Sequence, residues 1–398
     1  MQPITHFCIS AFNRNLERSL YEKENKYPAV LTGLFCAFLG CGALASVFMP
    51  KKSFSETENR YLAQMPSLTW QSLKSGAFGT EYETYLSDQF PFRDQWIGIK
   101  TTAEQLQQKK EINGVWLGSD QFLFEALYPE DIDRVLYEKN IERLSVFARS
   151  QEGLLGSAHV RIMLIPSASE ILTDKLPAFA SPFPQKQLIT DLEKNGISSL
   201  MVPVQSALAS AHSELHSSDR ELYYRTDHHW TSSGAYVGYR SWADSMGFKP
   251  LSPSDFTVET VSGNFLGTIH SKLNLPIKPD SIELYRPLEE PEWNVYYDGS
   301  SEPSHSLYSM KALQTRDQYR VFLDGNHGWT KIENPAQPSD KKLLILKDSY
   351  AHSFAPFAAL HFGKPIWWIF GILMEKSAAL SGSRALQTFW FCTIFPDL

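Results

Sequence analysis

Reactive side chains concentrate in two segments, residues 224–231 (YRTDHHWT) and residues 344–353 (LILKDSYAHS). In an extended segment residues i and i+2 project to the same side, so Asp227 and His229 are expected to face one cleft while His228 points away. A carboxylate and an imidazole in this relation activate a serine hydroxyl, since the imidazole takes the proton and the carboxylate orients the imidazole. The first segment therefore predicts the acid–base half of a serine-dependent site.

The second segment supplies the candidate nucleophile. The apolar run 343–346 leads directly into Lys-Asp-Ser-Tyr, which places Ser349 at the carboxyl end of a predicted strand, where open α/β sheets build their sites. Small residues follow and suit a helix start, so the backbone N–H of Ser349 or Tyr350 is a candidate oxyanion donor. The side-chain amide of Asn326, in a glycine-flanked turn, is another. The Gly-x-Ser-x-Gly motif of other hydrolases is absent.

The same residue types allow other interpretations. The segment 227–230 could be a buried polar network, and Asn326 could serve only its turn. A catalytic zinc or iron site is a further alternative, with nitrogen and oxygen ligands drawn from Asp227, His228, His229, Asp324, His327 and His352. Adjacent histidines of a regular strand point to opposite faces, which disfavours a shared ion, so we predict neither a metal nor a cofactor.

The elements that must position these residues alternate between strand and helix. Compact apolar runs at 159–166, 199–204 and 343–346 predict three buried strands. Amphipathic segments at 137–151 and 231–246 predict helices, the second capped by Thr231, Ser232 or Ser233. This alternation predicts an α/β sheet with helices on both faces.

Composition narrows the class of protein. The 398 residues carry a net charge of −7, which argues against a nucleic-acid partner. The four cysteines show neither a CxxC motif nor zinc-site spacing, and they are too few for a disulfide scaffold.

An apolar segment near the start predicts a membrane anchor. Residues 28–49 contain no charge and are long enough to cross a hydrocarbon core, which needs about 20 residues. Basic residues are more numerous before this segment than after it, which favours a cytoplasmic N-terminus. A cleavable signal peptide is the alternative, because residues 43–45 (Ala-Leu-Ala) resemble a cleavage site, but the long leader and apolar core favour an uncleaved anchor. The apolar run 365–374 is too short to span and is expected to be a buried strand or helix.

The chain resembles the bacterial DHHW proteins, named for the tetrapeptide found here at residues 227–230. The resemblance extends over about residues 28–362 and is carried by further motifs at residues 54–60, 87–94, 113–118, 325–327 and 346–353. DHHW proteins are similar in turn to the SGNH hydrolase-like domains of alginate O-acetylation proteins. That similarity implies a triad of Asp227, His229 and Ser349, in an order permuted relative to ordinary SGNH enzymes. Lys347 stands where the SGNH block has glycine, which affects the expected oxyanion site.

The resemblance ends near residue 362. Residues 363–398 are atypical of the family, being rich in tryptophan, serine and alanine, as expected of divergence or an altered reading frame. We expect this tail to pack poorly against the rest of the sheet.

These features predict a single-pass membrane protein with an extracytoplasmic domain. The expected segments are a short cytoplasmic stretch (1–27), a transmembrane anchor (28–49), a linker and helical stalk (50–110), and an SGNH-like three-layer α/β sandwich with a mostly parallel sheet (111–398).

The expected function is that of an acyl esterase or O-acetyltransferase acting on cell-surface polysaccharide or its acyl esters. Ser349 would be the nucleophile, His229 the base and then the acid, Asp227 its orienting carboxylate and Asn326 an oxyanion donor. The expected partners are the membrane, the polysaccharide and proteins of an envelope acetylation system. The alternative is a non-catalytic glycan-binding or assembly protein with a degenerate site.

Overall fold

A computed structural model of the chain describes residues 27–55, 60–214, 220–335, 337, 342–363, 366–370 and 389–395, the last two stretches by their backbone. The cytoplasmic stretch predicted at 1–27 lies almost wholly outside the described residues. The chain forms two compact units, Met1–Ser55 with Arg60–Trp96, and Glu56–Asn59 with Ile97–Leu398.

The first unit is dominated by helices. Helix α1, Tyr27–Phe48, is long and apolar enough to cross a membrane, as residues 28–49 predict, although a signal sequence passes the same test. The remaining elements are β1 (Phe54–Ser55), β2 (Arg60–Tyr61), α2 (Trp70–Ser75), α3 (Ala77–Asp88) and the start of α4 (Arg93–Leu106). Helix α2 begins at a capping box, in which the Thr69 hydroxyl accepts the Ser72 N–H at 3.1 Å.

The second unit alternates strands with helices. Its helices are α5 (Arg134–Leu155), α6 (Ala168–Ile171), α7 (Lys186–Leu192), α8 (Val204–Glu214), α9 (Ser232–Ser245), α10 (Thr268–Ser271) and α11 (Ala351–Ala358). Its strands are β3 (Glu111–Ile112), β4 (Val115–Leu117), β5 (Leu123–Glu125), β6 (Val160–Leu164), β7 (Phe256–Phe265), β8 (Asp280–Pro287), β9 (Asn294–Tyr297), β10 (Trp329–Glu333), β11 (Lys342–Lys347), β12 (Ile366–Phe370) and β13 (Phe389–Phe395).

The main sheet has six described strands in the order β6-β13-β11-β12-β10-β9. Only β11 and β12 pair in parallel, while the other four pairs are antiparallel. The mostly parallel sheet expected from the sequence is therefore not found among the described residues. Two of the antiparallel pairs arise because β13 lies between β6 and β11 and so separates two strands that run in the same direction. The other two arise because β10 runs antiparallel to both β9 and β12.

Helices cover both faces of this sheet, as predicted. Side chains alternate along a strand, and in β11 Leu343 and Ile345 join the buried cluster that contains residues of α9 and α11. Leu344 and Leu346 pack in the opposite cluster, with residues of α5 and α7. The layers are therefore helix, sheet and helix around two apolar cores.

Two sequence expectations have different outcomes. The strand predicted at 199–204 is wrong, because Ser198–Leu200 is a 3₁₀ turn and α8 begins at Val204. Only Met201 bridges to β6, and Pro203 has no N–H with which to extend a ladder. The backbone of the atypical tail contributes β12 and β13 to the interior of the sheet. The expected poor packing of the tail concerns its side chains, which lie outside the described part of the structure.

Candidate active site

Ser349 lies in the turn between the end of β11 and the start of α11, where the sequence predicts the nucleophile. The residue is half-buried. The turn is closed by Asp348, whose carboxylate accepts the Tyr350 N–H at 3.0 Å, and by a 3.1 Å bond from the His352 N–H to the Ser349 carbonyl. A rigid strand and a rigid helix thus fix the hydroxyl from both sides.

The segment that carries the acid–base pair is a bend, not a strand. Residues 225–229 turn between Tyr223 and Trp230, which form an isolated antiparallel bridge. The expectation that His228 points away from His229 is therefore wrong, and their ring centroids lie 3.9 Å apart. Strand alternation does not apply here because the Asp227 carboxylate accepts the His229 N–H at 3.0 Å and so closes a tight turn.

The bend brings the three predicted residues into hydrogen-bond order. The Asp227 carboxylate lies 2.5 Å from His229 Nδ1, and His229 Nε2 lies 2.7 Å from the Ser349 hydroxyl oxygen. With Nδ1–H donating to the carboxylate, Nε2 is left as the acceptor for the serine proton. The three groups have the spacing that a hydroxyl nucleophile and its base require.

Asp227 is held by a second segment that the sequence analysis missed. The other oxygen of its carboxylate accepts the Thr268 backbone N–H at 2.8 Å and the Thr268 hydroxyl at 3.1 Å. Gly267, just before α10, packs so closely that a Cβ placed there would lie 2.2 Å from the Asp227 Cβ. Thr268 lies 41 residues after Asp227 in the sequence, with Gly267 directly before it, and no recognisable motif marks either residue. Only the folded chain reveals them.

The electrostatics leave the imidazole neutral and the carboxylate charged. Burial lowers the pKa of His229 to about 4, an effect that nearby His228 reinforces and Asp227 opposes. Burial alone would raise the pKa of Asp227, but His228, His229 and the Thr268 N–H hold it well below its usual range. At neutral pH His229 can accept a proton and Asp227 can stabilise the imidazolium that results.

Three hydrogen bonds, running in both directions, join the segment that carries Ser349 to the segment that carries the acid–base pair. The Trp230 indole N–H donates to the Tyr350 carbonyl at 3.0 Å and to the Ser353 hydroxyl at 2.9 Å. In return the Tyr350 hydroxyl donates to the His228 carbonyl. The tryptophan of the DHHW motif therefore joins the two halves of the site.

The predicted oxyanion donors are not all equivalent. Asn326 is exposed, and it has no hydrogen bond to Asp227, His229 or Ser349 in the described part of the chain. Its role stays a prediction. Of the two backbone candidates, the Tyr350 N–H already donates to Asp348.

Lys347 does not enter the site. Its side chain is buried, and its ammonium lies 2.6 Å from His352 Nε2 on the interior side of the turn. Burial lowers the pKa of Lys347 to about 7, an effect that Asp348 opposes. The lysine that replaces the SGNH glycine is therefore directed into the protein.

The alternative of a metal site has some geometric support. Asp227, His228 and His229 offer ligand atoms that all lie within 4.8 Å of one another. These donors are already engaged, however, because His228 Nδ1 lies 2.9 Å from the Thr268 hydroxyl and the two nitrogens of His229 contact Asp227 and Ser349. An ion bound here would have to displace the Ser349 contact. His352 faces Lys347 instead, and the other predicted ligands, Asp324 and His327, lie in and beside the Asn326 turn.

A hydroxyl, an imidazole and a carboxylate therefore lie in hydrogen-bond order at the end of a strand, in an α/β protein whose sheet is covered by helices on both faces. The sequence matches the family model described as "DHHW protein" over residues 138–365, more than half of the chain. The chain therefore belongs to the DHHW family, and that prediction is confirmed. The match begins well after the motifs quoted from residues 54–118, so it does not cover them.

Solved structures are similar to this chain at low sequence identity, and of the following three PatB1 with its adduct has a TM-score above 0.5 and shows the same fold. Bacillus cereus PatB1 with a sulfonyl adduct is 18% identical with a TM-score of 0.51, covering 68% of this chain and 89% of that one. A DHHW family protein from Eubacterium siraeum is 21% identical with a TM-score of 0.48, covering 65% and 83%. The O-acetyltransferase domain of Pseudomonas putida AlgJ is 16% identical with a TM-score of 0.38, covering 65% and 80%. No curated protein matches the sequence.

Proposed function

We propose that this chain is a membrane-anchored, extracytoplasmic serine acyltransferase or esterase that acts on O-acetyl groups of cell-surface carbohydrate. The observation that carries the proposal is the hydrogen-bonded series from Asp227 through His229 to the half-buried Ser349. The carbohydrate substrate and the partner proteins of an acetylation system rest on the resemblance of residues 226–230 to alginate O-acetylation proteins. Anchoring rests on the length and apolarity of α1.

The proposed reaction uses two acyl-transfer steps. The Ser349 oxygen attacks the acyl carbon while its proton passes to His229 Nε2, and the resulting imidazolium is stabilised by Asp227. His229 then returns the proton to the departing alkoxide, leaving an acyl ester on Ser349. A sugar hydroxyl or water attacks that ester and loses its proton to His229. As the bond between the acyl carbon and the Ser349 oxygen breaks, His229 returns the proton to that oxygen.

The negative charge on the oxygen of the tetrahedral intermediate requires a hydrogen-bond donor near Ser349. The Ser349 N–H suits this task better than the Tyr350 N–H, which Asp348 already occupies. The exposed Asn326 amide remains the proposed side-chain donor. In other proteins, removing such a donor costs about 3–4 kcal/mol of transition-state stabilisation.

The test compares the wild-type protein with the Ser349→Ala variant, both as full-length protein in detergent. The measured quantity is the turnover of p-nitrophenyl acetate and of acetylated glycan. The variant should lose at least about 10³-fold in kcat, since the nucleophile is gone. Ser300→Ala, a change at an exposed turn serine, is the matched control and should leave kcat unchanged. Mass spectrometry after a rapid quench should find the acyl group on the peptide that contains Ser349.

The opposing result is equally definite. If Ser349→Ala keeps the wild-type turnover, or if the wild type has none while still binding acetylated glycan, the enzymatic proposal fails. The second outcome would favour the glycan-binding alternative with a degenerate site.

A further inference from the structure

We propose that Tyr319 is a positioning residue, whose ring holds the His229 imidazole in the plane where Nε2 faces Ser349 and whose hydroxyl fixes the nucleophile turn to the same support. This inference rests on the proposed function and adds a residue to it. No motif in the sequence marks Tyr319, which lies 90 residues beyond His229 and 30 before Ser349 in a 3₁₀ turn, Gln318–Val321.

The first observation is the stacking. The Tyr319 and His229 rings lie 3.8 Å apart between centroids and only 12° from parallel, and both side chains are buried. Asp227 and Ser349 hold the imidazole through its two nitrogens, and both contacts lie along the ring edge. Two edge contacts alone leave the ring free to rock about the line between them, and the neighbouring His228 ring, 3.9 Å away between centroids, is tilted by 35° from it. A flat ring packed on its face removes that freedom.

The second observation is the hydroxyl. The Tyr319 O–H lies 3.3 Å from the Ser349 carbonyl and 3.1 Å from the Ser353 hydroxyl. Ser353 in turn accepts the indole N–H of Trp230, which belongs to the bend. One side chain therefore contacts the base through its face and the nucleophile turn through its tip.

The third observation is the way that Tyr319 is itself held. Its ring packs edge-on against Tyr224 at 6.3 Å and tilted against Phe322 at 5.2 Å, within a buried apolar cluster. Burial raises the pKa of Tyr319 well above its usual value, so the hydroxyl keeps its proton throughout the working pH range. The ring is thus a fixed neutral surface.

The face of an aromatic ring also attracts a cation. His229 becomes an imidazolium only after it takes the Ser349 proton, so this attraction acts during the reaction and not before it. Tyr319 should therefore affect kcat more than KM, because it does not touch bound substrate in this proposal.

The experiment uses the full chain with Tyr319→Leu and Tyr319→Phe. Tyr308→Leu is the matched control, because Tyr308 is a buried tyrosine of the same cluster whose hydroxyl donates to the Tyr285 carbonyl instead. Two quantities are measured: steady-state kcat and KM for the ester, and the pKa of His229 from hydrogen–deuterium exchange at its ring carbon, followed by mass spectrometry.

We expect Tyr319→Leu to lower kcat by about 10- to 100-fold with little change in KM. It should also raise the pKa of His229 from about 4 towards its usual value, because burial is the main cause of the low pKa and the hydration gained at the uncovered face outweighs the lost attraction of the ring for the imidazolium. Tyr319→Phe keeps the ring, so kcat should stay within about threefold and the His229 pKa should not move. Tyr308→Leu should leave both quantities unchanged.

The inference is overturned if Tyr319→Leu leaves kcat and the His229 pKa at their wild-type values. It is also overturned if Tyr308→Leu produces the same changes, which would mean general loosening of the cluster, or if Tyr319→Phe is as damaging as the leucine. The exchange measurement needs no turnover, so it still tests Tyr319 if Ser349→Ala disproves the enzymatic role.

Discussion

A single methyl group at Gly267 should disable the site without touching any reacting atom. The backbone of Gly267 has φ of −82°, so alanine is not excluded by backbone strain. It is excluded by space, because the added Cβ would lie 2.2 Å from the Asp227 Cβ and 2.3 Å from one carboxylate oxygen. Carbon atoms in contact normally keep about 3.5–4.0 Å, so Asp227 must move by more than about 1 Å.

The expected loss follows from that displacement. A misplacement of about 1 Å in a catalytic constellation costs about 10²-fold in rate. Complete loss of the orienting aspartate costs about 10⁴-fold in serine enzymes, which sets the upper limit. Gly267→Ala should therefore lower kcat by about 10²- to 10⁴-fold. The overpacked site should also destabilise the fold by about 1–3 kcal/mol.

The assay is ester turnover by full-length protein, with thermal unfolding measured alongside it. Gly263→Ala is the matched control, because a Cβ there meets nothing within 4 Å and the residue lies in the same strand-to-helix segment. The control should keep wild-type turnover and a nearly wild-type Tm. If Gly267→Ala stays within about threefold of the wild type while folded, the claim that Asp227 must sit where Thr268 and Gly267 hold it is wrong.

Two further predictions concern protonation and the support of the bend. Because burial lowers the pKa of His229 to about 4, the turnover parameter kcat/KM should be flat from pH 7 to about 5 and fall as the pH drops through about 4. If kcat/KM instead falls near pH 6.5, the His229 imidazole is not desolvated. Asp280→Ala removes the acceptor of both the Thr226 N–H (2.9 Å) and the Thr226 hydroxyl (2.6 Å), and it leaves Arg225 without its carboxylate. The loss in unfolding free energy should be about 3 kcal/mol in denaturant titration, and a loss below about 1 kcal/mol would show that the bend does not depend on this carboxylate.

The sequence predicts which residues meet at the candidate site better than it predicts the local geometry that brings them together. Asp227, His229 and Ser349 were selected for their residue types, and the structure brings all three together. The extended conformation predicted for residues 227–229 is wrong, because this segment bends. An Asx-type turn satisfies the same i, i+2 relation, and residue spacing alone does not distinguish the two.

The supporting residues were missed for a physical reason. Thr268 and Tyr319 reach the triad from β7–α10 and from a 3₁₀ turn, and each packs through contacts that are distant in sequence. Local patterns report amphipathic faces and turns, so α9 with its Thr231 cap and the strand at 343–346 were predictable. Strand order is a property of the whole chain, which is why the place of β13 was not foreseen.

The place of β13 also bears on how the protein is made. While the chain is being synthesised, β6 and β11 have no partner on the sides that β13 later fills, because residues 389–395 leave the ribosome after both. Unpaired strand edges are sites of aggregation. The nascent polypeptide therefore exposes these two edges until β13 pairs with both strands, and the turn that carries Ser349 follows a strand whose ladder is completed only then.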